Sequence, residues 1–436
     1  MRKEFSKGDE NVEYSVLSYG ADPSGNVKST QAIQKAIDDA AIHGGKVIIP
    51  AGIFVCGTLW LRSNVELHLE LGAKILASPD LSDYNELDAY PQNFYSKVEE
   101  WNGKHLIIAH EVENIAITGL GTIDGNAVSF YCDPIPWDGY TWEKGLALAR
   151  DKENLRPGQL IAIIECKNVF ISDVTIQNST CWCCFLHGCF DVRIRGIRIL
   201  NPHENANTDG IDIDTCSYVT VSDCLIDTGD DAIALRCDGD RVLHKEPVCE
   251  YITITNCVLA SSSSVFRIGV GRGTLQHIRV DNIVMKRGAV GMCFMGCWTI
   301  GKYTNIFDTH FSRISAENLS FPFQINSIDG AIFDDISVTD MRANCTAAGS
   351  VSTNKEGTLN NIRLENIHLK YSDKQIVQTE RTLDARGDHL FYLQNATGLY
   401  ISDVTIDAKN VDLSLWKGLI FNENCPDSVG EIKILR

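Results

Sequence analysis

Between Asn205 and Arg236 the chain reads NANTDGIDIDTCSYVTVSDCLIDTGDDAIALR, and three aspartates in it, Asp209, Asp230 and Asp231, are the side chains whose type and spacing could do chemistry. Clustered carboxyl groups move protons to and from oxygen, or hold a hard cation. Superposed with a shift of 22 residues, Asp209 falls on Asp231, Ile211 on Ile233, Ile213 on Leu235 and Asp214 on Arg236. In a coil of stacked parallel strands such equivalent positions lie roughly 4.8 Å apart. Asp209 and Asp231 then become neighbours, with Asp230 beside them at the coil edge. Like charges held that close raise one another's pKa or demand a compensating donor, so the spacing marks a candidate site. One aspartate alone, in Thr-Asp-Gly or Gly-Asp, reads equally as a turn residue capping backbone N–H groups. That reading does not extend to all three at this spacing.

The scaffold that must position them is a repeat. NIAITGLGTIDG, NVFISDVTIQN, DVRIRGIRILN, YVTVSDCLIDT, YITITNCVLAS, HIRVDNIVMKR, NIRLENIHLKY and LYISDVTIDAK are versions of one alternating unit, interrupted near its middle by Asp, Asn or Gly. Starts at Asn168, Asp191, Tyr218, Tyr251 and His277 are 23, 27, 33 and 26 residues apart. A constant core with variable spacing means loops of different length set into one face of a solenoid. No gap contains the helix that a doubly wound fold requires. The predicted fold is all-β, a right-handed single-stranded parallel β-helix. It occupies residues 13–436 as one domain behind a loose polar segment, 1–12.

Ahead of the repeat, the pattern predicts a strand from Tyr14 to Ser18, a turn over GADPSGN and a helix over 30–43. Ile33, Ala36, Ile37, Ala40 and Ala41 recur at helical spacing, Ser29 or Thr30 stands at the N-cap, and Gly44-Gly45 ends the helix. A single amphipathic helix before a long run of strands covers the open apolar end of the stack, as terminal caps must.

A net charge of -18 argues against nucleic acid or an anionic membrane as partner. The start, MRKEFSKGDENVEYSVLSYG, has no apolar leader region, and no run of 18 apolar residues occurs, so the chain as written reads as cytoplasmic. Its 16 cysteines follow the repeat: Cys166, Cys189, Cys216 and Cys249 take one position on consecutive coils, and Cys224 and Cys257 another. Stacked thiols inside a coil act as small hydrophobes and suit a reducing compartment. Cys181, Cys183 and Cys184, in CWCC, form the one cluster that could bind metal, without the paired C-x-x-C spacing of a zinc site. Nothing in the sequence calls for a cofactor.

The opening LSYGADPSGNVKSTQAIQKAIDDAAIHGGKVIIPAGIFVCGTLWLRSNVELHLELGAKILAS, the GLGTIDG unit, and NTDGIDID followed by GDDAIAL resemble the polygalacturonase-like glycoside hydrolases, family 28. The resemblance implies a right-handed parallel β-helix and an oligosaccharide substrate derived from pectin or a related polymer. It implies that Asp230 is the general acid, while Asp209 and Asp231 activate water for inversion at the anomeric carbon. Such a mechanism asks for a protonated carboxyl at the leaving oxygen and a carboxylate far enough off to admit water.

The departures fall on substrate binding. The family's Gly-His-Gly is replaced by ASSSSVFRIGVG, with serine near Ser263 at the histidine position. Its Arg-Ile-Lys, which grips the galacturonate carboxylate, is replaced by KRGAVGMCF, with Val290 and Met292 in the basic places. Arg267 is the first candidate to substitute, because an arginine between Phe266 and Ile268 points outward. Arg236, Arg272 and Lys286 are others, and Arg236 reads equally as a ladder partner for Asp214. Asn207 within the first motif, and His203 and Glu204 just before it, are further cleft candidates, the last two reading equally as solvated loop residues. An insertion over 126–156 brings Trp137, Tyr140 and Trp142, to stack on a sugar or to pack the loop. Two other classes share this architecture: a β-helical polysaccharide lyase using calcium, and a β-helix that binds glycan without cleaving it.

Overall fold

The computed structural model describes residues 12–97, 99–131, 153–297, 303–354, 356–372, 389–425 and 432–436. The strands pair in parallel and each pairs with its equivalents on the neighbouring coils, which makes the chain a right-handed parallel β-helix. Three columns of strands run along it. The first contains Ile107–His110, Ile161–Ile164, Cys184–His187, Ile211–Asp214 and Ile233–Asp238. The second contains Glu113–Gly119, Lys167–Ser172, Phe190–Arg195 and Ser217–Ser222. The third contains Thr122–Asp124, Thr175–Gln177, Arg198–Leu200 and Leu225–Thr228.

The Asp, Asn and Gly in mid-repeat are its corners. Asp173, Gly196, Asp223, Asn256 and Asn282 all have φ between 54° and 67°, a left-handed conformation that these residue types enter at least cost. One such residue turns the chain without breaking the ladder, so the strands Val248–Ser261 and Ser264–Met295 continue around corners. Repeat starts also adopt positive φ, including Tyr218, Tyr251 and His277, where it is unfavourable. There the exposed rings stack in a file, with centroids 4.9 Å apart for Phe190–Tyr218 and Tyr218–Tyr251 and 5.0 Å for Tyr251–His277. That stacking offsets part of the strain.

Inward residues form a continuous core from the helix cap to the C-terminal coils. Cys166, Cys189, Cys216 and Cys249 lie in it with no exposed surface, each free, as the repeat positions predict. Burial pushes the thiols of Cys166 and Cys249 up, so they stay protonated and inert.

The helix spans Thr30–His43 and buries Ile33, Ala36, Ile37 and Ala40 on the end of the stack. Its cap differs from expectation. Ser29 occupies the N-cap position but makes no capping bond; its Oγ accepts from Asp22 N–H at 2.9 Å instead. The predicted first strand is also shorter, Glu13–Ser15, followed by a 3-10 turn at Val16–Tyr19 that ends at Gly20 in a left-handed conformation. The expected GADPSGN turn runs into a strand at Ser24–Lys28, as Asp22 accepts from the N–H groups of Ser24 and Val27. The N-terminal segment up to residue 11, and Trp137, Tyr140 and Trp142, lie outside the described residues. No helix among the described residues is long and apolar enough to cross a membrane.

Candidate active site

Register places the three aspartates as the repeat predicts. Ile211 pairs with Ile233, Ile213 with Leu235 and Asp214 with Arg236, while Gly210 N–H donates to Asp231 O at 2.9 Å. Asp209, Asp230 and Asp231 therefore lie at the loops that enter the first column, where each offers a carboxylate oxygen within 4.8 Å of the others. The loop is tight. A Cβ on Gly229 would come within 2.3 Å of Asn205 O and 2.6 Å of Pro202 O, so only glycine admits the approach that sets Asp230 beside Asn207.

Each carboxyl has its own surroundings. Asp230 accepts from the N–H groups of Asn207, at 3.2 Å, and Asp231, at 2.9 Å. Asp231 accepts from Ser264 N–H at 2.9 Å and pairs with Arg267 Nε at 3.1 Å. Asp209 is buried, and its Oδ1 has no hydrogen-bond partner. Burial first, and then Asp230, push the Asp209 carboxyl well above the ordinary range. Carboxylates this close do not all ionise together, so the cluster holds a proton. The wide gap expected for a water is not seen between the nearest oxygens. Groups on adjacent coils are held at the strand spacing.

The neighbouring outward face of the column is polar and closely packed. His187 stands 3.6 Å from Asp214, and Arg236 lies 3.6 Å from Asp214 and 3.7 Å from Asp212. Burial opposes ionisation of Asp214, but His187 and Arg236 outweigh it and hold the carboxyl far below its usual range. Asp212 has no exposed surface and no hydrogen bond at either oxygen, and burial pushes it well up despite Arg236. The folded state therefore retains a proton on Asp212 that the unfolded chain releases above about pH 4. Its contribution to stability is present in full below that pH and is lost as pH rises through the folded value. Asp212→Asn is expected to flatten the fall of the urea midpoint with rising pH; an unchanged slope would place the proton elsewhere.

Arg156 is the site residue that the sequence reading missed. It lies at the end of the insertion, 2% exposed, and donates to Tyr131 Oη at 2.8 Å, Glu99 O at 2.7 Å, Thr180 O, and Asn207 Oδ1 at 2.9 Å. Asn207, a predicted binding residue, is thereby buried and locked at φ 55° with its N–H on Asp230. No motif announces Arg156, because its partners come from four separate loops. Arg156→Lys keeps the charge but not the planar fork. It is expected to lower kcat about ten- to a hundredfold with KM little changed, since slight misplacement of a reacting group has effects of that order.

The other predicted residues divide. Arg267 reaches the cluster, but through Asp231: its side chain is 3% exposed, with Nη1 against Cys293 Sγ at 3.4 Å and Met295 Sδ at 3.7 Å. The side chains meeting it, on the coil three on from Asp209, are thus Cys293 and Met295. Val290 and Met292, expected there, pack instead in a small apolar cluster and in the central core. Ser263 N–H bonds Ser261 Oγ, and Ser264 is the serine that meets Asp231. His203 is exposed and pairs with Asp227 at 3.0 Å, not with the three carboxylates. Lys286 is exposed near the same Asp227 at 4.0 Å, Arg272 is exposed, and Glu204 is half-buried. Cys183 and Cys184 point into the central core while Cys181 joins a second apolar cluster with Trp101, Trp182 and Phe185, so the three do not converge on a metal.

The arrangement has relatives. A probable polygalacturonase of Vitis vinifera is 27% identical over 282 residues, 62% of this chain and 54% of that protein. An exo-poly-alpha-D-galacturonosidase of Dickeya chrysanthemi is 27% identical over 315 residues, 64% of this chain and 51% of that protein. The chain thus spans about half the length of these curated relatives. The exopolygalacturonase of Thermotoga maritima superposes with a TM-score of 0.62 at 23% identity, covering 83% of this chain and 88% of that one, a likeness of fold. The model of glycosyl hydrolases family 28 matches residues 49–376, which include all three aspartates, and the chain belongs to that family.

Proposed function

We propose that the protein hydrolyses an O-glycosidic bond in a pectin-derived oligosaccharide with inversion. The observation that carries this reading is the convergence of Asp209, Asp230 and Asp231 in one buried cluster, with Arg267 fixing one and backbone N–H groups orienting another. Asp230 is assigned the proton transfer to the leaving oxygen, and Asp209 and Asp231 the activation of water. Burial first, and then Asp230, push the Asp209 carboxyl up, and substrate decides which oxygen of the cluster carries the proton. The close spacing resembles that of retaining enzymes, about 5–5.5 Å. Inversion rests on membership of family 28.

Names of relatives support a galacturonide substrate and release from a chain end. The test is incubation of the purified protein with galacturonate oligomers and with neutral glycosides, the first anomer being followed by proton NMR. Release of the inverted sugar supports the reading, and the retained anomer overturns its stereochemistry. Activity abolished by a calcium chelator, with an unsaturated product absorbing in the ultraviolet, would make the cluster a lyase's calcium site. Free, buried cysteines throughout the described residues support a reducing compartment, consistent with cytoplasmic location.

A further inference from the structure

On the outward face of the second column, Ala116 leaves a gap in a file of large side chains. Register sets Lys46, Glu66, Ala116, Phe170 and Arg193 on successive coils. Side chains on a strand stand out from the sheet, so along such a file each one faces the next. Phe170 has the Arg193 guanidinium over one side of its ring, 5.9 Å from the centroid. Along the file its other side meets only the Ala116 methyl. The next long side chain, Glu66, stands two coils from Phe170, roughly 10 Å away at the backbone. The result is a cleft of about 380 Å³ lined by Asn64, Glu66, Asn114, Ala116, Asn168 and Phe170, within the size range of small-ligand sites.

The rim of the cleft is a row of amides. Asn168 Nδ2 donates to Asn114 Oδ1, and Asn114 Nδ2 to Asn64 Oδ1, each at 2.8 Å. An amide side chain has two N–H groups and two carbonyl lone pairs. These bonds use one of each on Asn114, which orients the row and leaves that residue a donor and an acceptor for a ligand. The charged groups nearby are already paired. Lys46 lies 3.3 Å from Glu66, and Arg193 donates to Asn168 Oδ1 at 2.6 Å and lies 3.7 Å from Asp191. One aromatic face, a rim of amides and matched charges suit a flat, uncharged ligand with an apolar face and hydroxyls at its edge. A neutral pyranose is such a ligand. The exposed file of Phe190, Tyr218, Tyr251 and His277 offers no equivalent seat, because its rings stack on one another.

We infer that the cleft over Ala116 is a second carbohydrate site, where a neutral hexopyranose lies against Phe170 with its hydroxyls on the Asn114 row. It stands on the second column, whereas the three aspartates lie at the loops entering the first. The site therefore holds a polysaccharide chain on the protein and does no chemistry on it. This goes beyond the hydrolase reading and does not depend on it.

The experiment is calorimetric titration with β-1,4-linked galactotetraose, a neutral chain, and with tetragalacturonate, an acidic one. It uses the Asp230→Asn protein, so that neither probe is cleaved, alone and combined with Ala116→Leu, Phe170→Ala or Phe170→Tyr, each checked for folding by circular dichroism. Ala116→Leu removes no group and fills the cleft, and it is expected to weaken galactotetraose binding at least about tenfold. Phe170→Ala should weaken it about five- to tenfold, as befits the loss of an aromatic contact, while Phe170→Tyr keeps the ring face and binds as before. Tetragalacturonate binding should change little in any of them. Absence of galactotetraose binding before the cleft is altered, or equal binding after Ala116→Leu, would overturn the site. An equal loss for tetragalacturonate would overturn its neutral preference. If Phe170→Ala does not fold, Ala116→Leu and Phe170→Tyr carry the test. Should the native chain cleave no glycoside at all, the hydrolase reading fails and the titrations still decide the site.

Discussion

Asp230→Asn is expected to fold as the native chain does and to lose turnover on natural linkages by about a hundred- to ten-thousandfold, the usual share of a positioned general acid. The fold survives because the amide is isosteric and the substitution removes a carboxyl from a cluster in which burial first, and then its neighbours, already push Asp209 up. Its oxygen can still accept from Asn207 or Asp231, so the loop keeps an anchor. The loss should be smaller on substrates whose leaving group departs without a proton, such as nitrophenyl glycosides. Asp209→Asn should lose activity on both kinds equally, because water activation is needed for each. If Asp209→Asn is the variant rescued by a good leaving group, the two roles are exchanged. The raised Asp209 value makes that exchange the rival to watch.

Arg267→Met is expected to cost about 3–5 kcal/mol in stability, because it strands a buried anion whose partner is gone. Asp231 would retain the Ser264 N–H and would lose the Nε contact at 3.1 Å. Methionine fits the setting, since Arg267 already lies against Cys293 and Met295. The double variant Arg267→Met/Asp231→Asn should recover most of the loss, as replacement of both partners of a buried pair commonly does. Urea midpoints of the four proteins measure it. Additive losses would show that Arg267 stabilises through packing alone. Turnover should stay low in the double variant despite the restored fold, because Asp231, one of the two carboxylates proposed to activate water, is gone.

Much of this protein was legible in its sequence, and the particular residues show why. The 22-residue shift that aligns Asp209 with Asp231 is the strand register itself, Asp214 opposite Arg236 included. In a solenoid, equivalent positions in sequence are neighbours in space, so a linear comparison reads out three-dimensional contacts. The corner residues were equally plain, since Asp173, Asn256 and Asn282 are types that tolerate positive φ. Ser29 takes the N-cap position that the sequence predicts, but without a capping bond, because a nearby loop residue, Asp22, competes for its hydroxyl.

What the sequence by itself determined is therefore whatever the repeat carries: the coil, its cysteine-lined core, and three aspartates on adjacent turns. Only the tertiary structure decided how charge is shared around them. It turned Arg267 inward onto Asp231, set Arg156 beneath Asn207, and brought Arg236 and Arg241 together on a wall built from Phe94, Trp101 and Trp182. Arg156, Arg241, Phe94 and Trp101 come from loops outside the repeat that differ in length, so no periodicity relates them to the strand residues Arg236 and Arg267. An outward side chain, moreover, is free to fold back onto a neighbouring charge or reach for solvent. Strand alternation fixes the face on which it stands, and the burial and charges around it fix where it ends.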